Sequence, residues 1–254
     1  MSQIPKIALV TGASRGLGRN TAVSLARKGV SSVITYKSGK ADADRVVAEI
    51  EALGAEALAL QLDTGDVDSF DAFVASLKQA LQQKWGRGSF DYLVNNAGFG
   101  LAAPIAQTSE EHFDRLVNVH LKGVFFLTQR LLQLLADGGR IVNLSSGLAR
   151  FSRPGMAAYA MMKGGIEVFT RYLAKELGAR GITANTVSPG AIETDFGGGV
   201  VRDRPEYNKL VAGDTALGRA GVPDDIGPMI ASLLSDDNRW VNAQRIEVSG
   251  GMSL

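Results

Sequence analysis

The sequence predicts a single α/β domain in which a seven-stranded parallel sheet carries helices on both faces. Short apolar runs alternate with longer amphipathic ones, which is the pattern of repeated strand–helix units. A chain of 254 residues fits one well-filled α/β domain, and no Pro-rich or Ser-rich linker divides it. With 45% hydrophobic and 21% charged residues, the chain has enough apolar side chains for a core and lacks the composition of a disordered protein.

Each predicted strand is a short apolar run, and each predicted helix places its apolar residues three and four positions apart. We expect strands at Ile7–Val10, Ser32–Tyr36, Ala55–Leu62, Tyr92–Asn95, Arg140–Leu144, Thr183–Val187 and Arg245–Val248. We expect helices near Leu17–Lys28, Ala41–Leu53, Val67–Lys84, Ser109–Leu135, Ala157–Leu177 and Asp224–Leu234. This alternation predicts a doubly wound, Rossmann-like sheet, which binds ligands at the carboxyl ends of its strands.

One long stretch, from Ser188 to about Gly221, shows neither pattern and contains Gly197-Gly198-Gly199. Loops of this length inside a domain are usually functional or disordered. A glycine run between better-ordered ends suits a segment that closes over a substrate. We therefore expect a mobile substrate lid at about residues 191–220, with a loosely ordered surface loop as the plainer alternative.

The composition excludes several classes of function. A formal net charge of +1 gives no basic excess for nucleic acid, so we expect a small-molecule ligand. Without cysteine the chain has no disulfide, thiolate metal site or cysteine nucleophile, and His112 and His120 lie far from any carboxylate cluster, so we expect no metal. The first strand begins at Ile7 and no apolar run is long enough to span a bilayer, so we expect a cytoplasmic protein without a membrane partner.

A glycine-rich segment, Thr11–Gly18, follows the first strand and opens a helix. In that position glycines let backbone N–H groups approach a pyrophosphate at the positive end of the helix. The spacing Gly-x-x-x-Gly-x-Gly is one residue longer than the common dinucleotide fingerprint, and a purely structural tight turn is the alternative. The residues predicted to line this cofactor site are Gly12, Ser14, Arg15, Gly16, Leu17 and Gly18.

The end of the second strand predicts which nicotinamide cofactor is bound. A carboxylate about twenty residues after the glycines would bind the adenosine ribose, but Tyr36, Lys37 and Ser38 stand there instead. Arg15 and Lys37 put two positive charges where a 2′-phosphate would lie, which favours NADP(H) over NAD(H). Both could instead be solvated surface charges. Asp63, which precedes Thr64, would accept a hydrogen bond from the adenine amino group or cap the next helix.

Three further residues form a candidate catalytic group. Tyr159 and Lys163 are four apart on a predicted helix and so share a face, while Ser146 ends the fifth strand. A phenol with a reference pKa of about 10 needs a neighbouring positive charge before it can exchange protons at neutral pH. We expect Tyr159 to be the general acid/base and Ser146 to bind the same substrate oxygen. Each residue type also occurs at such positions without a catalytic role.

These motifs together resemble the short-chain dehydrogenase/reductase family, of the single-domain kind, over nearly the whole chain. The resemblance rests on Thr11–Gly18, Asn95-Asn96-Ala97-Gly98, Asn118, Ser146, Tyr159-x-x-x-Lys163 and Ser188-Pro189-Gly190. It implies that Asn118 completes a catalytic tetrad and that its backbone holds a water linking Lys163 to solvent. It also implies that Lys163 binds the nicotinamide ribose. Further cofactor contacts implied by the resemblance are Thr64, Asn95, Ala97, Gly98, Pro189, Gly190, Ile192 and Thr194.

The fold places a set of mostly apolar residues above the nicotinamide, which predicts a hydrophobic or aromatic ketone as substrate. Beside Phe99, the residues expected to contact substrate are Ser146, Leu148, Phe151, Arg153, Met156, Tyr159, Phe196 and Tyr207. Several of them could instead be ordinary packing residues, and Arg153 either meets an anionic substrate tail or lies solvated at the rim.

In style the chain is most similar to 3-oxoacyl-acyl-carrier-protein reductases and to broad ketone reductases, as Gly218-Arg219 and Ile246–Gly251 suggest. Such reductases often carry basic residues before the fifth strand to dock an acidic carrier, but here only Arg140 and the more distant Arg180 are available. The function expected is an NADPH-dependent oxidoreductase that interconverts a ketone and a secondary alcohol. A catalytically silent NADP(H)-binding sensor is the alternative. The resemblance also implies a homo-oligomer, usually a tetramer.

Overall fold

Seven strands form the centre of the computed structural model, which describes residues 5–254. Their bounds are β1 (Ile7–Val10), β2 (Ser31–Tyr36), β3 (Ala57–Gln61), β4 (Phe90–Asn95), β5 (Leu135–Leu144), β6 (Thr183–Pro189) and β7 (Arg245–Val248). All pairings are parallel, in the order β3-β2-β1-β4-β5-β6-β7. The predicted doubly wound α/β fold is therefore confirmed.

Helices connect the strands and cover both faces of the sheet. Their bounds are α1 (Gly16–Ala26), α2 (Lys40–Ala52), α3 (Phe70–Trp85), α4 (Glu110–Val117), α5 (Gly123–Leu131), α6 (Ala157–Glu176), α7 (Val200–Asp203), α8 (Pro205–Gly213) and α9 (Gly227–Leu233). A single π-helical turn, Asn118–Lys122, joins α4 to α5.

The hydrophobic core lies in two layers, one on each face of the sheet. In β1, Ala8 and Val10 belong to one buried cluster and Ile7 and Leu9 to the other, because successive strand residues point to opposite faces. The first cluster includes apolar residues of α1, α2 and α9, and the second includes residues of α3, α5 and α6. Burial on both sides explains why the strands are continuous apolar runs.

The predicted helix over residues 109–135 is wrong in two respects. It is divided by the π turn, in which the N–H of Gly123 donates to the carbonyl of Asn118 five residues earlier. Gly123 packs so closely that a Cβ there would lie 1.9 Å from the carbonyl oxygen of Thr64. The helix also ends at Leu131, and β5 begins at Leu135 rather than Arg140, with an irregular register before Tyr92 pairs with Arg140.

The segment expected to be an irregular lid contains two helices, α7 and α8, so that part of the prediction is wrong. The residue Pro205 begins α8, where its missing N–H costs no helical hydrogen bond. Before α7, Gly197, Gly198 and Gly199 all have positive φ angles, of 61°, 77° and 75°. Residues with side chains rarely adopt this conformation three times in succession, which explains the glycine run. Movement of the lid stays a prediction.

The sheet order places a crevice between β1 and β4. The connection from β1 leads to β2 on one side of the sheet, whereas β4 and the strands after it continue on the other side. Ligands of open α/β sheets bind at such a switch point, beyond the carboxyl ends of the strands. The glycine-rich turn after β1 and the segment Asn95–Gly98 at the end of β4 meet there.

Candidate active site

The ends of β1 and β4 are fastened together by Thr11 and Asn96. The Thr11 hydroxyl oxygen accepts hydrogen bonds from the backbone N–H groups of Asn96 and Ala97, each at 3.0 Å. In return, the side-chain amide of Asn96 donates to the carbonyl oxygens of Thr11 at 2.8 Å and Gly12 at 3.1 Å. The glycine-rich turn is thereby held against the end of the neighbouring strand.

The turn itself has the shape of a phosphate cradle. Gly12 has a φ of +63°, and a Cβ there would lie 2.8 Å from the Cα of Ala97, so neither the conformation nor the space admits a side chain. No side chain caps the N-terminus of α1 at Arg15, and the space over Gly16 is open up to Thr194. The first-turn N–H groups of α1 are therefore available to an anion, and these residues fit a dinucleotide pyrophosphate.

The two cations predicted to bind a 2′-phosphate are each paired with a carboxylate. The Lys37 ammonium lies 2.7 Å from a carboxylate oxygen of Asp63, and the Arg15 guanidinium lies 3.9 Å from Asp195. Burial acts to raise the pKa of Asp63, but the hydrogen bonds from Lys37 and from the Gly65 N–H outweigh it and hold that pKa below its usual range. Both cations remain mostly exposed and accessible to a ligand.

A cavity of about 250 Å³ borders the outer side of the glycine turn. Besides Arg15 it contains Arg19 and Arg45, whose guanidinium groups pair with Glu49 and Asp42. Sequence reasoning missed Arg45, because it lies in the body of α2 and no local motif marks it. The residues around this cavity are Ser14, Arg15, Arg19, Asp42, Arg45, Val46 and Asp195.

The remaining predicted cofactor residues lie around the crevice in different ways. Tyr36 is buried in the core and Ser38 is exposed beyond β2. The Asn95 side chain donates to Asn143 at 2.8 Å and to Thr128 at 3.0 Å, so it braces the sheet rather than pointing to a ligand. Four of the predicted residues end or follow β6: Pro189, Gly190, Ile192 and Thr194. Three more follow β3 or β4, namely Thr64, Ala97 and Gly98.

Tyr159 and Lys163 occupy consecutive turns of α6, and both side chains are buried. The Lys163 nitrogen lies 5.5 Å from the centre of the Tyr159 ring and donates a 2.8 Å hydrogen bond to the carbonyl of Leu144, at the end of β5. Burial raises the pKa of the Tyr159 phenol, an effect partly opposed by the Ser146 hydroxyl. Burial also lowers the pKa of Lys163 to about 8. The structure therefore brings the three predicted catalytic residues together, with a protonated phenol.

A partly buried ionic network that sequence reasoning missed lies beside the Ser145–Ser146 segment. One carboxylate oxygen of Glu167 accepts hydrogen bonds from the Ser145 hydroxyl and from Arg245, both at 2.7 Å. Arg245 also approaches the backbone carbonyl of Ser146 at 3.4 Å. These contacts join β5, α6 and β7, and they restrain the segment that carries the Ser146 hydroxyl.

The structure places His120, not Asn118, beside Tyr159. The His120 ring meets the Tyr159 ring edge-on, with centres 5.3 Å apart, and its Nε2 lies 2.8 Å from the carbonyl oxygen of Phe99. Burial, followed by the charge of Lys163, lowers the pKa of His120 to about 3. Within residues 5–254, no hydrogen bond joins Asn118 to Ser146, Tyr159 or Lys163. The role predicted for Asn118, in which its backbone holds a water, stays a prediction.

Half of the predicted substrate residues surround Tyr159. Phe99, Leu148 and Met156 pack in its cluster, and the half-exposed ring of Phe196 lies 5.8 Å from the Tyr159 ring. Together they form an apolar wall beside the phenol.

The other predicted substrate residues lie in a separate group. Phe151 and Tyr207 pack with Val211 and Met252. Arg153 donates to Asp214 at 2.9 Å and to the Tyr207 hydroxyl at 3.4 Å, so it joins the lid to the loop after Ser146. The Arg153 charge is paired with Asp214, and its contact with an anionic substrate stays a prediction.

Two features are absent from residues 5–254. These residues hold no group of three or more histidines, aspartates and glutamates arranged to bind a metal ion. In the same part of the chain, none of the helices has the length and hydrophobicity required to cross a membrane.

Comparison with known proteins gives matches over nearly the whole chain. A family model described as enoyl-(acyl carrier protein) reductase matches residues 12–253. The chain is 37% identical over 254 residues to the 3-oxoacyl-[acyl-carrier-protein] reductase FabG of Staphylococcus aureus, covering 99% of this chain and 100% of that protein.

Two similar solved structures are ketone reductases. The promiscuous reductase LugOII, which catalyses keto-reduction at C1 during lugdunomycin biosynthesis, superposes with a TM-score of 0.94 and 39% identity over 100% of both chains. The angucycline C-6 ketoreductase LanV with bound NADP gives a TM-score of 0.93 and 35% identity, covering 98% of this chain and 96% of that one.

Burial of neutral His120 predicts a loss of stability in acid. The pKa of His120 falls from 6.5 to about 3 on folding, so below pH about 6.5 the unfolded state binds a proton that the folded state does not. The free energy of unfolding should therefore decrease by up to about 1.4 kcal/mol per pH unit as the pH falls towards 4. Urea unfolding measured from pH 7 to pH 4 should show this decrease in the free energy of unfolding in the wild type and in His112→Gln. The contribution of His120 to the decrease should be missing in His120→Gln. Equal pH slopes for wild type and His120→Gln would contradict it.

Proposed function

The chain belongs to the short-chain dehydrogenase/reductase family, and on this premise we propose that it is an NADP(H)-dependent oxidoreductase that reduces a ketone to a secondary alcohol. The reverse oxidation uses the same groups. The observation that carries the proposal is the buried pair of Tyr159 and Lys163 beside Ser146, at the carboxyl ends of the strands and next to the glycine cradle. This arrangement provides proton transfer at a dinucleotide site.

In the proposed mechanism, NADPH held by the glycine turn and by Lys163 would supply the hydride that reduces the carbonyl group. Tyr159 donates its phenolic proton to the carbonyl oxygen as negative charge develops there. Ser146 donates a hydrogen bond to the same oxygen and fixes its orientation. Burial keeps the phenol protonated in the absence of substrate, so it stands ready as an acid.

Lys163 makes the proton transfer feasible in this mechanism. One of its N–H groups is used by the Leu144 carbonyl, which fixes the ammonium on the side of Tyr159 and leaves two N–H groups for the nicotinamide ribose. Its positive charge stabilises the phenolate that remains after proton donation. With a pKa of about 8, Lys163 is mostly charged at neutral pH.

The cofactor assignment rests on the cations beside the glycine turn and on the NADP bound in the similar LanV structure. Arg15 and Lys37 are accessible, and they could leave Asp195 and Asp63 for the stronger charge of a 2′-phosphate. Arg19 and Arg45, at the cavity beside the turn, add two further positive charges to this region.

The proposed substrate is a hydrophobic or aromatic ketone. The wall formed by Phe99, Leu148, Met156 and Phe196 supports an apolar substrate, and LugOII and LanV are similar proteins that reduce ketones. Docking of an acidic carrier protein finds less support. Arg140 is buried and bound to Asp236 and the Leu234 carbonyl, and Arg180 is engaged by Asp137 and two backbone carbonyls.

We also propose that the protein is a homo-oligomer, with a tetramer as the expected form. Four large side chains are exposed on α5 and α6: Phe125 at 44%, Met161 at 61%, Val168 at 46% and Tyr172 at 63%. Phe125 also contacts the ring of Phe169, 5.0 Å away, so the apolar surface continues from one helix to the other. A second copy of the chain would cover this surface.

Tyr159→Phe should reduce kcat by at least about 10²-fold, because it removes the general acid. The dissociation constant for NADPH should stay within about 3-fold of wild type, since the ring remains in place. The measurements are NADPH oxidation with a panel of aromatic and aliphatic ketones and NADPH titration by fluorescence. Tyr172→Phe, on the exposed face of the same helix, is the control. Unchanged turnover in Tyr159→Phe would reject the role of the phenol. Tight NADPH binding by a wild type that reduces no ketone would favour a silent sensor.

The double variant Arg15→Glu/Lys37→Asp should lower kcat/KM for NADPH far more than for NADH, shifting the ratio by about 10²-fold or more, because two charges facing the 2′-phosphate are reversed. The same reversal at Arg27 and Lys28, exposed at the other end of α1, is the control and should leave the ratio unchanged. Equal losses with both cofactors would show that these cations do not select NADP(H).

Val168→Glu/Tyr172→Asp should dissociate the oligomer by placing unpaired charges in an apolar interface. Light scattering after gel filtration should give four chain masses for wild type and a smaller mass for the variant. Leu53→Glu, at a residue of similar exposure on the far edge of the sheet, should keep the wild-type mass. A monomeric wild type would refute the proposal.

A further inference from the structure

His120 is a buried titratable residue that the proposed mechanism does not use. Only 1% of its surface is exposed, and it lies in the π turn between α4 and α5. Single π turns inside helices often occur at functional sites, because the extra residue redirects one side chain. Here the turn directs the imidazole into the space between Phe99 and Tyr159.

The contacts of His120 define its tautomer. Its Nε2 lies 2.8 Å from the Phe99 carbonyl oxygen and 3.3 Å from the Phe99 N–H nitrogen, and the shorter contact favours a proton on Nε2 with Nδ1 as the acceptor in the neutral ring. Within residues 5–254, Nδ1 has no hydrogen-bond partner, although it is buried. Buried acceptors of this kind are uncommon and normally bind a water or a ligand.

The surroundings of the ring are built closely around it. A Cβ at Gly98 would lie 2.6 Å from Cε1 of His120. Because glycine has no side chain, the imidazole can pack directly against the backbone after β4. The charged groups that face the cluster are Lys163, which lowers the pKa of His120, and Arg115, whose guanidinium lies 5.6 Å from the Phe99 ring. The ring therefore links the cofactor side of the site to the catalytic phenol.

We propose that His120 is a positioning residue for the reaction of Tyr159, an inference that rests on the proposed function. Its Nε2–H holds the backbone of Phe99, and its ring edge holds the Tyr159 ring. The imidazole thereby fixes the phenol relative to the backbone that follows β4.

This role differs from the one that the sequence resemblance implied for Asn118, whose backbone was expected to hold a water that links Lys163 to solvent. The Asn118 carbonyl accepts the Gly123 N–H and keeps a second lone pair, so that role stays a prediction. The His120 ring, in contrast, contacts the rings of Phe99 and Tyr159 directly.

Two substitutions separate the polar role of His120 from its packing. In His120→Gln, the side-chain amide nitrogen can occupy the position of Nε2 and donate to the Phe99 carbonyl. In His120→Leu, the volume is largely kept but no polar atom remains. His112→Gln is the matched control, because His112 is the other histidine of the chain and lies on α4.

The readouts are kcat and KM for a ketone that wild type reduces, the pH profile of kcat, and NADPH affinity by fluorescence. We expect His120→Leu to lower kcat at least about 10-fold and to shift the pH profile, with KM and NADPH affinity within about 3-fold of wild type. His120→Gln should recover most of kcat, and His112→Gln should match wild type. A folded His120→Leu with wild-type kcat and pH profile, or a His120→Gln as impaired as His120→Leu, would overturn the proposal.

A measurement without substrate or cofactor keeps the inference testable if His120→Leu fails to fold. Nitrogen-15 NMR of the imidazole in wild type should show the neutral Nε2–H tautomer at pH 6, and a cationic ring or an Nδ1–H tautomer would overturn the proposal. If wild type reduces no ketone at all, the proposed function fails instead, and this spectrum still reports on His120 independently.

Discussion

The hydrogen bonds of Thr11 are the constraint on which the rest of the site depends. They join the end of β1 to the start of the segment after β4, at the point where the two halves of the sheet diverge. If these strand ends separated, the glycine turn would lose its backing at Ala97, and Phe99 would no longer be held where His120 contacts it. The glycine turn and the Tyr159 phenol are therefore positioned through one short stretch of backbone.

Burial acts in opposite directions on the two ionisable groups of α6. Burial favours the neutral form of each side chain. It therefore raises the pKa of the Tyr159 phenol and lowers the pKa of the Lys163 ammonium. The site can tolerate a charged Lys163 because the Leu144 carbonyl accepts one of its protons. Near Ser146, the carboxylate of Glu167 and the guanidinium of Arg245 form an ion pair. This pair therefore adds little net charge to the surroundings of Tyr159 and Lys163.

The sequence predicted the fold class and the proximity of Ser146, Tyr159 and Lys163, because both depend on local patterns. The bounds of β1 and β7 were predicted without error, since a continuous apolar run defines β1 and alternating apolar residues define β7. The π turn was missed because an added residue does not interrupt the apolar pattern of a helix. The partners of Lys37 and Arg153 were missed for another reason: the ion pairs with Asp63 and Asp214 join residues distant in sequence, and only tertiary packing brings them together.

The pairing of Lys37 with Asp63 also has a consequence for how salt affects the protein. A phosphate that binds this lysine replaces a carboxylate already in place, so binding exchanges one ion pair for another instead of creating a new one. Added salt weakens the Lys37–Asp63 ion pair that is lost and the lysine–phosphate pair that is gained by similar amounts. The affinity for a phosphorylated ligand should consequently vary less with ionic strength than the number of nearby cations suggests.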